Sequence, residues 1–118
     1  MNIELKIKPL SVNEAWQGKR FKTVKYKRFE RDVLLMLPKT KEVFSDMIRI
    51  DLFFGFSSIL SDLDNPIKMT LDILQKKYGF NDRNIFELNV RKCKTEKGKE
   101  FISINIENLL PFDLDNQK

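Results

Sequence analysis

The sequence predicts an α+β fold, a β-α-β-α-β-β succession in which two helices pack on one face of a single mixed sheet. Three observations carry this expectation. Segments 2–8 and 47–56 alternate apolar and polar residues with the period of a strand, whereas the stretches beginning at Val24 and Asn65 repeat apolar residues at helical spacing. A chain of 118 residues with 42% hydrophobic content is long enough for one real core and too short for two.

In the first strand, Ile3, Leu5 and Ile7 alternate with charged residues up to Pro9, which stops the pattern. A loop holding Asn13, Trp16 and Gly18 follows. From Val24 the positions Tyr26, Phe29, Val33, Met36 and Leu37 form the apolar stripe of a helix closed by Pro38, with Lys25, Arg28 and Arg31 mainly on its other face. Ile48, Ile50, Leu52, Phe54 and Phe56 make one side of a strand expected near the middle of the sheet, and Arg49 and Asp51 make the other. Asn65 suits an N-cap and Pro66 the first helical position, where its missing N–H costs no hydrogen bond. Ile67, Leu71 and Leu74 continue that helix, and Gly79 stands where a C′ glycine belongs. Phe86, Leu88 and Val90 mark a further strand, joined by a hairpin through 95–99 to a last strand at Phe101–Ile106. The domain is expected to span 1–108, with 109–118 a loosely ordered tail.

The residues that are missing narrow the chemistry. With no histidine there is no Ser-His triad, no His-based zinc site and no His-Asn-His nuclease. A single cysteine, Cys93, makes no intramolecular disulfide and no Cys-rich zinc module, which agrees with a reducing compartment. No apolar run approaches the roughly 20 residues that span a bilayer, and the N-terminus has no signal-peptide core, so a cytoplasmic protein without membrane contact is expected. Acid–base or metal chemistry must come from carboxylates, Lys, Tyr or water, without an organic cofactor.

The net charge of +5 is unevenly placed. Lys19, Arg20, Lys22, Lys25, Lys27, Arg28 and Arg31 face one acidic residue, Glu30, with aromatics interleaved. Arg91, Lys92, Lys94, Lys97 and Lys99 form a second cluster around a turn. Both suit a polyanionic partner, and both also suit solvated faces that keep a cationic protein soluble. Within them, Lys19, Arg20, Lys22, Arg28, Lys92 and Lys94 are the candidate contacts to such a polyanion, DNA among them. Asn13 either joins them or closes a turn, and Trp16 either stacks on an exposed base or packs.

Asp62 and Asp64 are two positions apart, so in extended backbone their side chains point the same way and can share one metal ion. Mg²⁺ favours such hard oxygen ligands, keeps several waters and takes substrate phosphate as well; Mn²⁺ can replace it. Lys68, one helical turn beyond Asp64, is placed to oppose charge on a scissile phosphate. Asp82 follows the helix, and its loop returns toward Asp62 if the next strand lies beside the one ending at Phe56. Each has a plainer reading: Asp62 and Asp64 as helix caps, Lys68 as a lysine paired with Asp64 or Asp72, Asp82 as an Asx-turn residue. Asp72 reads as structural, or as a partner of Lys68. The Asp-X-Asp pattern has little specificity by itself, since Asp-Leu-Asp-Asn recurs at 113–116 with no helix behind it.

The longer string is specific. Asp62-Leu63-Asp64-Asn65-Pro66-Ile67-Lys68, then Leu71-Asp72-Ile73-Leu74, then Gly79-Phe80 and Asp82 resembles the RusA-type Holliday junction resolvases. So do the opening Pro9-Leu10-Ser11-Val12-Asn13, Tyr26, Arg31-Asp32-Val33, and the late Lys92 and Gly98 turn. The resemblance extends to about residue 107. It implies a RusA-like fold and a homodimer that binds four-way DNA junctions and makes paired symmetric nicks with Mg²⁺, often in a prophage setting. It also implies Asp62, Asp64 and Asp82 as metal-binding catalytic carboxylates and Lys68 as the catalytic lysine. Rival expectations are a catalytically inactive junction-binding protein, a less selective structure-specific nuclease, and a small phage protein that binds a protein partner and uses its acidic loop only as a helix cap.

Overall fold

The computed structural model describes residues 1–10, 16–17, 21–58 and 64–110, with 16, 17, 21, 64 and 65 described by backbone alone. Its elements are β1 (Asn2–Leu5), β2 (Trp16–Gln17), β3 (Phe21–Lys22), α1 (Val24–Met36), β4 (Ile48–Phe56), α2 (Asp64–Tyr78), a 3₁₀ turn (Asp82–Asn84), β5 (Ile85–Lys94) and β6 (Phe101–Asn108). Four strands form one mixed sheet in the order β1-β6-β4-β5, where β4 runs parallel to β5 and antiparallel to β6. This is the expected α+β arrangement, with β4 inside the sheet.

Strict alternation along β4 and β6 divides the sheet into two unlike faces. Ile48, Ile50, Leu52, Phe54, Ile102, Ile104 and Ile106 are fully buried and meet Phe29 and Val33 from α1 and Ile73 and Leu74 from α2 in one core. Both helices therefore lie on that side. The start of α1 is set by Thr23, whose Oγ1 accepts the Tyr26 N–H at 3.1 Å, and Pro38 follows its end. Gly79, at φ +77°, supplies the left-handed residue that ends α2, and its N–H donates to the Gln75 carbonyl at 2.8 Å.

Several details depart from the sequence-based expectation. The first strand ends at Leu5, before Ile7. Two-residue strands β2 and β3 pair within what was expected to be loop. Met36 is 41% exposed, since Leu37 takes the next core position after Val33. α2 opens at Asp64, so Asn65 and Pro66 belong to its first turn and Asn65 is not the cap. Its inner side is Met69, Thr70, Ile73 and Leu74, while Ile67 and Leu71 are only half-buried.

The largest correction concerns the last two strands, which are not a hairpin. β5 and β6 flank β4 on opposite sides, so residues 95–100 cross over its end. The crossing covers two interstrand spacings, about 10 Å, which six residues span easily. The Thr95 N–H donates to the Phe56 carbonyl at 2.7 Å and pins the crossing to the end of β4. Leu109, just past β6, is buried, and its N–H donates to the Met47 carbonyl at 2.9 Å. Residues 111–118 of the expected tail lie outside the described residues.

Candidate active site

β4, α2 and β5 form a parallel crossover unit, and the candidates Asp64, Lys68, Asp82, Lys92 and Lys94 belong to it. Asp64 is the first residue of α2. Lys68 follows one turn later, exposed, and Asp72, Gln75 and Lys76 extend the same stripe at i+4, i+7 and i+8 from Lys68. The helical start changes the picture for Asp64, because the extended alternation expected to align it with Asp62 ends where the helix begins. Asp62, Asn13, Lys19 and Arg20 lie outside the described residues, as does the side chain of Asp64.

Asp82 opens the 3₁₀ turn after α2 and is fastened back onto the helix. Gln75 Nε2 donates to Asp82 Oδ1 at 2.6 Å, and the Asp82 N–H donates to Gln75 Oε1 at 3.1 Å. Asn81 and Asn84 cap the turn reciprocally, and Asn84 Nδ2 ties it to the Asp46 carbonyl at 3.3 Å. Asp82 and Lys68 both line a shallow depression completed by Ile67, Leu71, Ile85 and Leu88. Burial raises the Asp72 carboxyl above its usual value and the charge of Asp82 raises it further, against the opposing pull of Lys68, Lys22 and Lys76.

The Gln75 clasp was not visible in the sequence. Its only signal was the placement of Gln75 on the Lys68–Asp72 stripe. Gln75 stands eleven residues after Asp64, about 16 Å along the axis at the ~1.5 Å rise of an α-helix. Asp82 is thus held toward the C-terminal end of α2, and Lys68 lies between it and the N-terminus. The structure brings Lys68, Asp72, Gln75 and Asp82 together. β5 does lie beside β4, but it runs parallel to it, so the turn bearing Asp82, which leads into β5, sits at the Ile48 end of β4 and not at the Phe56 end from which the segment bearing Asp62 departs.

The basic candidates divide into two sets. Lys22 is held at the seam of the helices: its Nζ is 3.0 Å from Glu30 Oε2 and 4.7 Å from the centroid of the Tyr26 ring, while Lys76 Nζ is 3.0 Å from Glu30 Oε1. Burial works against the charge on Glu30, but hydrogen bonds from both lysines outweigh it and hold the carboxyl below its usual value. Arg28 is exposed on α1. Lys92 and Lys94 are exposed on β5 opposite Phe54 and Phe56, at the end of β4 from which the segment bearing Asp62 departs. Cys93 pairs with Gly55 on the other face of the sheet, away from all of these.

The donors near Lys68 are carboxylate oxygens, with no imidazole in the chain and its one thiol on the opposite face. That donor chemistry fits a hard divalent cation and not zinc. Among the described residues, no three metal-ligating side chains already form a cluster.

The family model for endodeoxyribonuclease RusA matches residues 8–107, most of the chain, including α2 and the Asp82 turn. The chain belongs to the RusA endodeoxyribonuclease family. It is therefore a hydrolase acting on DNA, and the depression beside α2 lies in the part that matches. Among curated proteins, none matches the chain. No helix among the described residues is long and apolar enough to cross a membrane.

Proposed function

We propose that this RusA-family nuclease resolves four-way DNA junctions as a homodimer, by paired symmetric nicks that depend on Mg²⁺, with Mn²⁺ able to substitute. The observation that carries the reading is the depression lined by both Lys68 and Asp82, with Lys68 one turn beyond Asp64 on the helix that opens with the family's acidic string. Asp62, Asp64 and Asp82 are the residues that would hold the ion. When bound, it would neutralise phosphodiester charge and lower the pKa of a water. Lys68 then opposes negative charge as it develops on the phosphate, from a position set by the helix and not by a mobile loop.

Asp82 joins an ion shared with Asp64 only if its whole turn leaves the Gln75 clasp and shifts toward the N-terminus of α2, because rotating one side chain cannot cover the roughly 16 Å of helix between Gln75 and Asp64. Gln75→Ala should then lower the Mg²⁺ concentration for half-maximal cleavage several-fold. An increase would mean that the clasp already holds Asp82 in its working position.

The polyanion is expected along the side of the molecule bearing Lys92, Lys94 and Arg28, joined by Lys19, Arg20, Asn13 and Lys22. Binding through these residues falls steeply with salt. Junction selectivity comes from a two-fold pair of sites straddling symmetric strands. A role in prophage recombination accords with the family resemblance.

The test compares a four-way junction with a linear duplex of equal length, with Mg²⁺ or EDTA, for the wild type and Asp64→Asn. Paired nicks confined to the junction, lost in EDTA and in Asp64→Asn while junction binding persists, are expected. Cutting of both substrates would indicate the less selective nuclease, and normal cutting by Asp64→Asn would overturn the site.

A further inference from the structure

We propose that two copies of this chain pair through the outer edge of β5, the strands running antiparallel with Asn89 on the two-fold axis. The inference rests on the homodimer reading above and names the surface that reading leaves open.

β5 ends the sheet: β4 hydrogen-bonds to one side of it and, among the described residues, no strand pairs with the other. It is ten residues long, whereas the opposite edge, β1, has four. A long edge of this kind offers a row of main-chain N–H and C=O groups to another strand. It also carries two exposed large apolar residues, Phe86 at 54% and Leu88 at 41%.

Side-chain pattern selects both the occupant and the register. The pairing with β4 places Glu87, Asn89 and Arg91 on the open face of the sheet, opposite Arg49, Asp51 and Phe53. Leu88, Val90 and Lys92 fall on the helix face, opposite Ile50, Leu52 and Phe54. Directly opposed residues of an antiparallel pair share a face, so a symmetric pairing must centre on a residue. Centred on Asn89, Glu87 meets Arg91 of the second copy and Leu88 meets Val90, each contact occurring twice. Centred on Val90, Glu87 would meet Cys93 and Leu88 would meet Lys92, and both complementarities are lost. The edge is thus complementary to itself in one register, in charge on one face and in apolar surface on the other.

That register also continues a feature of the single chain. Asn2, Asn105, Asp51 and Asn89 are successive partners across all four strands, and Asp51 accepts hydrogen bonds from both neighbours, at 2.8 Å from Asn89 and 3.1 Å from Asn105. Opposing the two Asn89 residues extends the row into the second copy. Lys92 and Lys94 guard the edge against indiscriminate pairing, and in this register Lys92 falls opposite Phe86 and meets no like charge.

The experiment is sedimentation equilibrium on the full chain, with circular dichroism to confirm folding of each variant. Wild type should be a dimer. Glu87→Lys and Arg91→Glu should each raise its dissociation constant at least tenfold, by placing like charges opposite one another. The double variant, Glu87→Lys with Arg91→Glu, should return to within about threefold of wild type, as opposed pairs of reversed sign do. This rescue separates pairing from any local effect of Arg91 on Phe53. In a Cys93→Ser background, Asn89→Cys should form an interchain disulfide on oxidation, because opposed Cα atoms at about 4.5–5.5 Å suit one. A dimer indifferent to all these changes, or single variants that the double does not rescue, would overturn the surface and leave the homodimer reading standing. A monomeric wild type that nicks junctions symmetrically would overturn both.

Discussion

The two faces of the sheet obey the same alternation and are stabilised in opposite ways. On the helix side, isoleucine, leucine and phenylalanine from β4 and β6 are withdrawn from water under α1 and α2. On the open side, Asp51 is held by Asn89, Asn105 and Arg49, and Arg49 also pairs with Glu107. The Arg91 guanidinium stands 4.2 Å over the Phe53 ring, which meets Phe101 edge-on at 5.3 Å. One face is closed by apolar burial, the other by paired polar and aromatic groups that tolerate solvent. The candidate active site belongs to the covered side, because only there does a helix carry Lys68 toward Asp82. The open face, with Asp51, Glu87 and Glu107 among its arginines, is a poorer match to a polyanion.

The contrast is sharpest at neighbouring positions of β4. Phe54→Ala, which empties a fully buried site, should cost about 3–5 kcal/mol, whereas Phe53→Ala on the open side should cost about 1 kcal/mol; urea denaturation of both checks this. Equal losses would mean that the open face is buried in the assembled protein. Lys68→Ala should reduce junction cleavage roughly 10²–10³-fold with little change in melting temperature. Single-turnover rates at saturating enzyme isolate that loss from binding.

Tyr26 offers a pH test of the covered side. Burial, reinforced by the charges of Asp72 and Glu30, pushes its hydroxyl up to about 12. Since the folded value lies above the unfolded one, its contribution is complete below pH 10 and is lost as the pH rises toward 12, amounting to roughly 2 kcal/mol. A spectrophotometric titration should show Tyr26 ionising well above a free tyrosine, and Tyr26→Phe should remove that part of the alkaline destabilisation.

Asp51 gives the corresponding test on the open side. Burial opposes its charge, but hydrogen bonds from Asn89 and Asn105 and the nearby Arg49 outweigh it and hold the carboxyl below its usual value. Its contribution is therefore present above the ordinary aspartate value, about 4, and is lost as the pH falls below it. Asp51→Ala should cost about 1–2 kcal/mol at pH 7, less at pH 3, and leave cleavage unchanged. The smallest effect is expected at Gly55, where an added Cβ would overlap the Phe101 ring and come within 2.9 Å of Thr95 Cγ2. Gly55→Ala should displace that half-buried ring and cost about 1 kcal/mol in thermal unfolding.

Much of this contrast was readable beforehand, and the places where reading failed have a common cause. The alternation in 47–56 assigned Ile48, Ile50, Leu52, Phe54 and Phe56 to the covered face and Arg49 and Asp51 to the other, and the Tyr26, Phe29, Val33 series located α1, because local periodicity records which side of an element is buried. The partner of each strand was less accessible. The turn signal before Phe101 suggested a hairpin, but β4, the most apolar strand, takes the interior position between β5 and β6. At the site, Lys68 and Asp82 could be named from residue type and order. Gln75 could not, because an amide on a helix surface acquires a role only when the turn after the helix folds back onto it.

By itself, the sequence determined the main helices and strands, the inward face of β4 and of α1, the exclusion of imidazole and disulfide chemistry, and the acidic string that identifies the family. Only the tertiary structure decided the strand order, the seating of Asp82 beside α2, and the polar row that joins Asn2 to Asn89 across the sheet. The physical reason is range: periodicity and residue chemistry act within a few positions of the chain, whereas strand neighbours and side-chain clasps are chosen by competition among distant segments for the same buried surface.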